Sequence, residues 1–289
     1  MSKFAYATPA AFRQALEARL ASIAKTEAVD VQRLRRQVAF DRLLCRIFQA
    51  PDSSWALKGG YAMELRLNMT RTTKDIDLSW RGKLMATSKE EAVAILREKL
   101  QEAADIDLGD YFTFLIGEPD TDVANAPYGG GRFSVAARMA GRVFAQFHID
   151  VGVGDAVLNP LEDISGRDWL DFAGIQPRPF PSISREQQFA EKLHAYTLPR
   201  EGAPNTRARD LVDMVLLIRM KIDPVRTMEA VAATFKKRAK HDVPADLEPP
   251  PVEWDKPYAA LAKECKLTET LNQASAMVDD FFKHNLRGG

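Results

Sequence analysis

Two adjacent glycines, Gly59 and Gly60, stand between a short apolar run, Trp55-Ala56-Leu57, and a helical pattern from Tyr61 to Leu67. A polar loop, Asn68 to Lys74, follows; Asp75 to Trp80 then alternates charged or polar residues with Ile76 and Leu78. That alternation has the period of a strand, and the run at Trp55 is short enough to be another. Glycines between a strand and a helix allow a tight turn that side chains would obstruct. They also let an anion approach the unpaired N–H groups at the helix start. Asp75 and Asp77 are two apart on a strand, so both carboxylates project from one face. Side by side they repel each other unless a cation intervenes, and a hard divalent ion with oxygen ligands suits the pair. Either feature alone would be ordinary, a plain turn or a solvated polar strand. Their succession points to a site for phosphate and metal.

The rest of the chain supplies a scaffold for such a site. Phe12, Leu16, Leu20 and Ile23 recur at helical spacing, with Thr8 as N-cap and Pro9 in the first turn. A second helix is expected from Val31 to Gln49, with Leu34, Val38, Leu43 and Ile47 inward and Pro51 and Asp52 ending it. Ser88 to Ala103 reads as a helix; Tyr111 to Ile116, Arg132 to Met139 and Val143 to Val153 read as strands. Strands with interspersed helices predict an α+β, or mixed α/β, core over 51–175. Gln176 to Ser184 holds three prolines and is expected to cross between subdomains. Beyond it, helices are expected at Arg185 to Tyr196, Thr206 to Met220, Asp223 to Arg238 and Leu267 to Asn285. Asp246 to Pro257, with four prolines, reads as a connector between the last two. The organisation expected is N-terminal helices over 1–50, the core over 51–175 and a helical region over 176–289.

Lys plus Arg and Asp plus Glu both number 40, so total charge gives no support for a nucleic-acid partner. Two local clusters do. Arg33, Arg35, Arg36, Arg42 and Arg46 crowd the second helix, and Lys236, Lys237, Arg238 and Lys240 end a later one. Bordering a cleft, they would form a track for a polyanion such as RNA. Cys45 and Cys265 lack metal-ligand spacing and read as reduced thiols. No apolar run approaches the ~18 residues of a membrane span, so no membrane partner is expected and the cytoplasm is the expected location.

The string Leu57-Lys58-Gly59-Gly60 through Arg71-x-Thr73-x-Asp75-Ile76-Asp77-Leu78 resembles the DNA polymerase β-type nucleotidyltransferase superfamily. More closely it is similar to the AbiEii/AbiGii family of toxin nucleotidyltransferases. The likeness extends to Glu191-Lys192 and to Arg207-x-Arg209-Asp210-x-x-Asp213. It implies a nucleotidyltransferase core sheet flanked by helices, with a mostly helical C-terminal region completing the active site. Asp75 and Asp77 would hold Mg²⁺ or Mn²⁺, and a nucleoside triphosphate would be the substrate. The acceptor implied is RNA, at the 3′ end of transfer RNA, which would block translation; a cognate antitoxin would be the partner. Lys192 would reach the phosphates, and Asp210 would be an essential carboxylate, one that orients Lys192, ranked ahead of Asp213. Gly60 stands where many relatives have a phosphate-contacting serine, which puts that hydroxyl contact in doubt.

Relatives also carry a third carboxylate. In Phe147-His148-Ile149-Asp150-Val151 the apolar residues point one way and Asp150 the other, making Asp150 the candidate for third ligand or general base. Asp155 is the alternative. His148 lies near the site, with packing its expected role. Arg71 and Lys58 are candidates for the triphosphate, beside the Gly59-Gly60 turn. Two other readings stay open: a small-molecule nucleotidyltransferase with an acidic acceptor pocket, and a non-catalytic binding protein on the same fold.

Overall fold

The computed structural model describes residues 6–50, 53–67, 73–120, 129–200 and 205–285. Arg71, most of the loop around it and the helix break at Pro51 and Asp52 lie outside the described residues. The described chain divides into two compact units. One takes the residues up to 67, 73–154 and Glu162–Ser182; the other takes Asp155–Leu161 and 183–285.

The first unit begins with α1 (Pro9–Glu27) and α2 (Val31–Ile47), capped by the Thr8 hydroxyl and the Asp30 carboxylate. Then follow β1 (Trp55–Lys58), α3 (Gly59–Leu67), β2 (Asp75–Trp80), α4 (Lys89–Ala104), β3 (Thr113–Asp120), β4 (Gly130–Met139), β5 (Arg142–Val153), β6 (Glu162–Ser165) and β7 (Pro179–Ser182). Among the described residues seven strands form one sheet in the order β3-β4-β5-β2-β1-β7-β6. The β2–β5 and β1–β7 pairs are parallel, the others antiparallel. Alternation along β4 and over 147–151 of β5 sends Phe133, Val135, Phe147, Ile149 and Val151 into the core. There Phe147 meets Phe40 of α2 at 4.7 Å between ring centres, and Phe40 meets Tyr61 of α3 at 4.9 Å. The opposite faces of these strands are left for polar residues.

Three expectations need correction. The glycines are not a turn ahead of a helix: α3 starts at Gly59 itself, whose φ of +66° lets the strand enter the helix without a linker. The proline-rich stretch before Arg185 is not a plain crossover, because it contains β7. Pro179 and Pro181 alternate with Phe180 and Ser182, so the residues between the prolines keep their N–H groups for the ladder. The stretch ending at Pro257 likewise runs into an unforeseen helix, α8 (Asp255–Glu264). Pro257 sits in its first turn, where the missing N–H costs nothing.

The arginines of α2 are mostly spent inside the unit. Arg42 and Arg46 clamp the buried Asp110 at 2.6 Å each, Arg33 reaches Glu64 at 2.7 Å, and Arg35 reaches Glu17 at 2.7 Å. Arg33 and Arg35, candidates for a basic track along this helix, thus each have a carboxylate partner in the fold.

Asp41 of α2 is fully enclosed and accepts hydrogen bonds from the Tyr61 hydroxyl and, at 2.8 Å, from Trp169 Nε1. Burial pushes its carboxyl up to about 7, although both donors oppose this. The folded state therefore holds a proton that the unfolded chain releases near pH ~4. Stability should fall as pH rises from about 4 to about 7, then level off. Asp41→Asn keeps an acceptor for Trp169 and offers a donor to Tyr61. Urea unfolding across that range should show a flatter profile for the variant, by a few kcal/mol at the high end; parallel profiles would place the proton elsewhere.

The second unit is helical: α5 (Arg185–Thr197), α6 (Ala208–Arg219), α7 (Pro224–Arg238), α8 and α9 (Leu271–Asn285). The Ser184 hydroxyl caps α5, and the Asp223 carboxylate caps α7 ahead of Pro224. The α6 helix packs on α5, α8 and α9, burying Leu211, Val215 and Leu217 with Phe189 and Leu193 in the unit's core.

Candidate functional site

Asp75, Asp77 and Asp150 come together on the outer face of the sheet. Asp75 lies opposite His148 and Asp77 opposite Asp150 across the parallel β2–β5 pair; Lys58, at the end of β1, lies opposite Asp77. That register selects Asp150 over Asp155 as neighbour of the pair. Asp155 instead belongs to the second unit, its side chain 4% exposed and 3.5 Å from Arg238.

The glycines belong to the same locality. A methyl group on Gly59 would lie 2.0 Å from Asp77 Oδ2, and the Gly60 N–H donates to that oxygen at 3.3 Å. Any side chain at Gly59 would have to displace the aspartate. Thr73, a motif position given no role by the sequence, packs against Gly60, its Oγ1 2.9 Å from where a Cβ would stand. That hydroxyl is buried with no hydrogen-bond partner. A hydroxyl thus does lie beside the glycine that replaces serine, brought by the loop ahead of β2.

Arg132 was also missed. It lies opposite Asp150 on β4; its Nη2 donates to Asp75 Oδ2 at 2.7 Å, and its Nε is 3.5 Å from Asp150 Oδ1. The available signal was its place in the β4 alternation, but nothing in sequence fixes the register that puts it opposite Asp150. His148, expected to pack, is 42% exposed in its side chain, with Nδ1 3.6 Å from Asp75 Oδ1.

Burial pushes the Asp150 carboxyl up to about 6, followed by the charges of Asp77 and Asp75; Arg132 and His148 oppose the shift. Asp150 Oδ1 is buried without a hydrogen bond. Crowded carboxylates with an unsatisfied oxygen are the donor chemistry that Mg²⁺ or Mn²⁺ takes. Among the described residues, however, no three His, Cys, Asp or Glu side chains gather closely enough to hold an ion. Arg132 holds Asp75 and Asp150 in its own geometry. The donor set suits a divalent ion, with Arg132 as the group that would have to give way.

A second cluster lies in the helical unit. Lys192 of α5 bridges Asp210 at 2.9 Å and Asp213 at 3.0 Å, both on α6 one turn apart. The two aspartate side chains are 6% and 0% exposed, so the lysine is fixed by two buried carboxylates rather than by Asp210 alone. Arg207, and not the exposed Arg209, is the arginine near Asp210, at 3.5 Å. Lys236 and Lys237 are exposed at the end of α7, whereas Arg238 turns to Asp155 and Glu191.

Residues 42–283 match the family described as nucleotidyl transferase AbiEii toxin, of type IV toxin–antitoxin systems. The chain belongs to the AbiEii family. No curated protein matches its sequence. Among solved structures it is similar to MenT4, a nucleotidyltransferase toxin from Mycobacterium tuberculosis H37Rv. The identity is 19% and the TM-score 0.56, over 94% of this chain and 96% of that one. JHP933 from Helicobacter pylori is 16% identical with a TM-score of 0.46, over 87% and 92% of the two chains. The MenT4 likeness shows that this AbiEii chain has the mixed α/β fold of such toxins. Among its described residues, no helix is long and apolar enough to cross a membrane.

Proposed function

We propose that this AbiEii chain transfers a nucleotide from a nucleoside triphosphate to the 3′ end of an RNA, with transfer RNA as the acceptor. The observation that carries the reading is the union of the Gly59-Gly60 helix start with Asp75, Asp77 and Asp150 on one sheet face. The start of α3 turns its dipole toward the carboxylates, where an anion is favoured, and Thr73 and Lys58 stand beside it. A divalent ion taken up by Asp75, Asp77 and Asp150 once Arg132 gives way would neutralise the triphosphate and favour the alkoxide of the acceptor. The acceptor oxygen bonds to the α-phosphorus, the bond to the β-phosphate oxygen breaks, and pyrophosphate leaves. Asp150, whose carboxyl burial pushes up to about 6, is the group suited to take the hydroxyl proton. Lys192, held by Asp210 and Asp213, is the fixed positive charge that the family resemblance assigns to the phosphates. A modified RNA that cannot be used in translation, and an antitoxin that counters the activity, complete the reading.

A cationic small-molecule acceptor would want carboxylates around it, whereas Arg36, Lys74 and Arg132 line the space beside Asp75. The test is incubation of the pure protein with each labelled triphosphate and total RNA, with Mg²⁺ or with excess chelator. Metal-dependent label at RNA 3′ ends is expected. Label on no RNA, but on a small molecule from a cell extract, would overturn the acceptor; label in excess chelator would overturn the metal site.

A further inference from the structure

On the β5 side of Asp75 the outer face of the sheet opens into a groove of about 610 Å³. Its floor is made of small residues, Gly117 of β3 with Ser134 and Ala136 of β4. A Cβ on Gly117 would stand 2.1 Å from Ser134 Oγ, so the bare glycine keeps this floor low. Arg36 and Lys74 line the groove, and Arg132 and Asp75 meet in it as an ion pair. The balance left over is positive. Arg36 Nε is buried with no hydrogen-bond partner, as is Arg33 Nε, but Arg33 and Arg35 on the same helix carry ion pairs to Glu64 and Glu17. The half-exposed His148 ring also lines it.

The strand order gives this groove a distinct task. Asp75 and Asp77 sit on β2; β1 and the glycine start of α3 lie to one side, β5, β4 and β3 to the other. A triphosphate at the glycines and a second anion in the groove would therefore approach the carboxylates from opposite sides. The volume suits a small ligand or a strand end, within the ~300–1,000 Å³ usual for such sites, and is far too small for a duplex.

We propose that the groove binds the single-stranded 3′ end of the acceptor, its phosphates against Arg36 and Lys74 and a base against the His148 imidazole. This rests on the nucleotidyl-transfer reading and adds where the acceptor lies and in what form it is recognised.

The test measures binding of a fluorescent single-stranded RNA oligonucleotide by anisotropy against salt. A non-hydrolysable triphosphate with Mg²⁺ is titrated separately by calorimetry. Arg36→Gln should weaken RNA several-fold and flatten the salt slope by about 0.7, the value for one lost contact to a single strand. Ser134→Trp, which fills the floor from an exposed position, should weaken RNA at least tenfold. Both should leave triphosphate affinity unchanged and their thermal unfolding close to wild type. Unaltered RNA affinity and slope in both variants would overturn the groove while leaving nucleotidyl transfer standing. So would equal binding of a blunt duplex, or a slope governed by Lys236→Gln and Lys237→Gln instead. A wild type that binds RNA but no triphosphate would sink the transfer reading, and the groove would then be judged on Arg36 and Ser134 alone.

Discussion

Asp77→Ala is expected to cut turnover by roughly 10³-fold or more while barely changing stability. Several kcal/mol of transition-state charge stabilisation pass through a metal held by such carboxylates, and each ~1.4 kcal/mol is tenfold in rate. The folded state loses little. The Gly60 N–H bond to Asp77 is long, at 3.3 Å, and removing one charge relieves Asp150, whose carboxyl Asp77 helps push upward. Thermal unfolding within about 2 °C of wild type is the companion expectation. Gly59→Ala should reproduce part of the effect by another route, since its methyl would claim the space of Asp77 Oδ2. An Asp77→Ala enzyme that still transfers nucleotides at wild-type rate would remove the carboxylate pair from the mechanism.

Lys192→Ala should cost both turnover and stability, and the two must be separated. Its ammonium is the shared partner of Asp210 and Asp213, which are almost wholly enclosed. Leaving buried carboxylates uncompensated costs about 3–5 kcal/mol, a fall in Tm on the order of 10 °C. Adding Asp213→Asn removes one orphaned charge and should recover part of that loss. If the lysine serves the triphosphate, kcat of the double variant stays low although its Tm has risen. Recovery of kcat together with Tm would mean that Lys192 is a structural counter-ion only. Thermal melts and steady-state kinetics on the same preparations decide between these.

What the sequence determined was local. The change from strand to helix across the two glycines, the common face of Asp75 and Asp77, and the outward direction of Asp150 follow from backbone periods of about 2 and 3.6 residues, which act over a few positions. The same local rules located the capped helices α1, α5 and α7, and the motif order was enough to indicate the family. Only the tertiary structure decided who neighbours whom. Strand register set Arg132 and Asp77 beside Asp150, since pairing partners distant in sequence leave no local trace. Packing turned Arg33, Arg35, Arg42 and Arg46 inward to Glu64, Glu17 and Asp110, because a charge brought near the core must find an opposite one. That left Arg36 in an open groove whose floor is assembled from two other strands, a site that no stretch of the chain contains by itself.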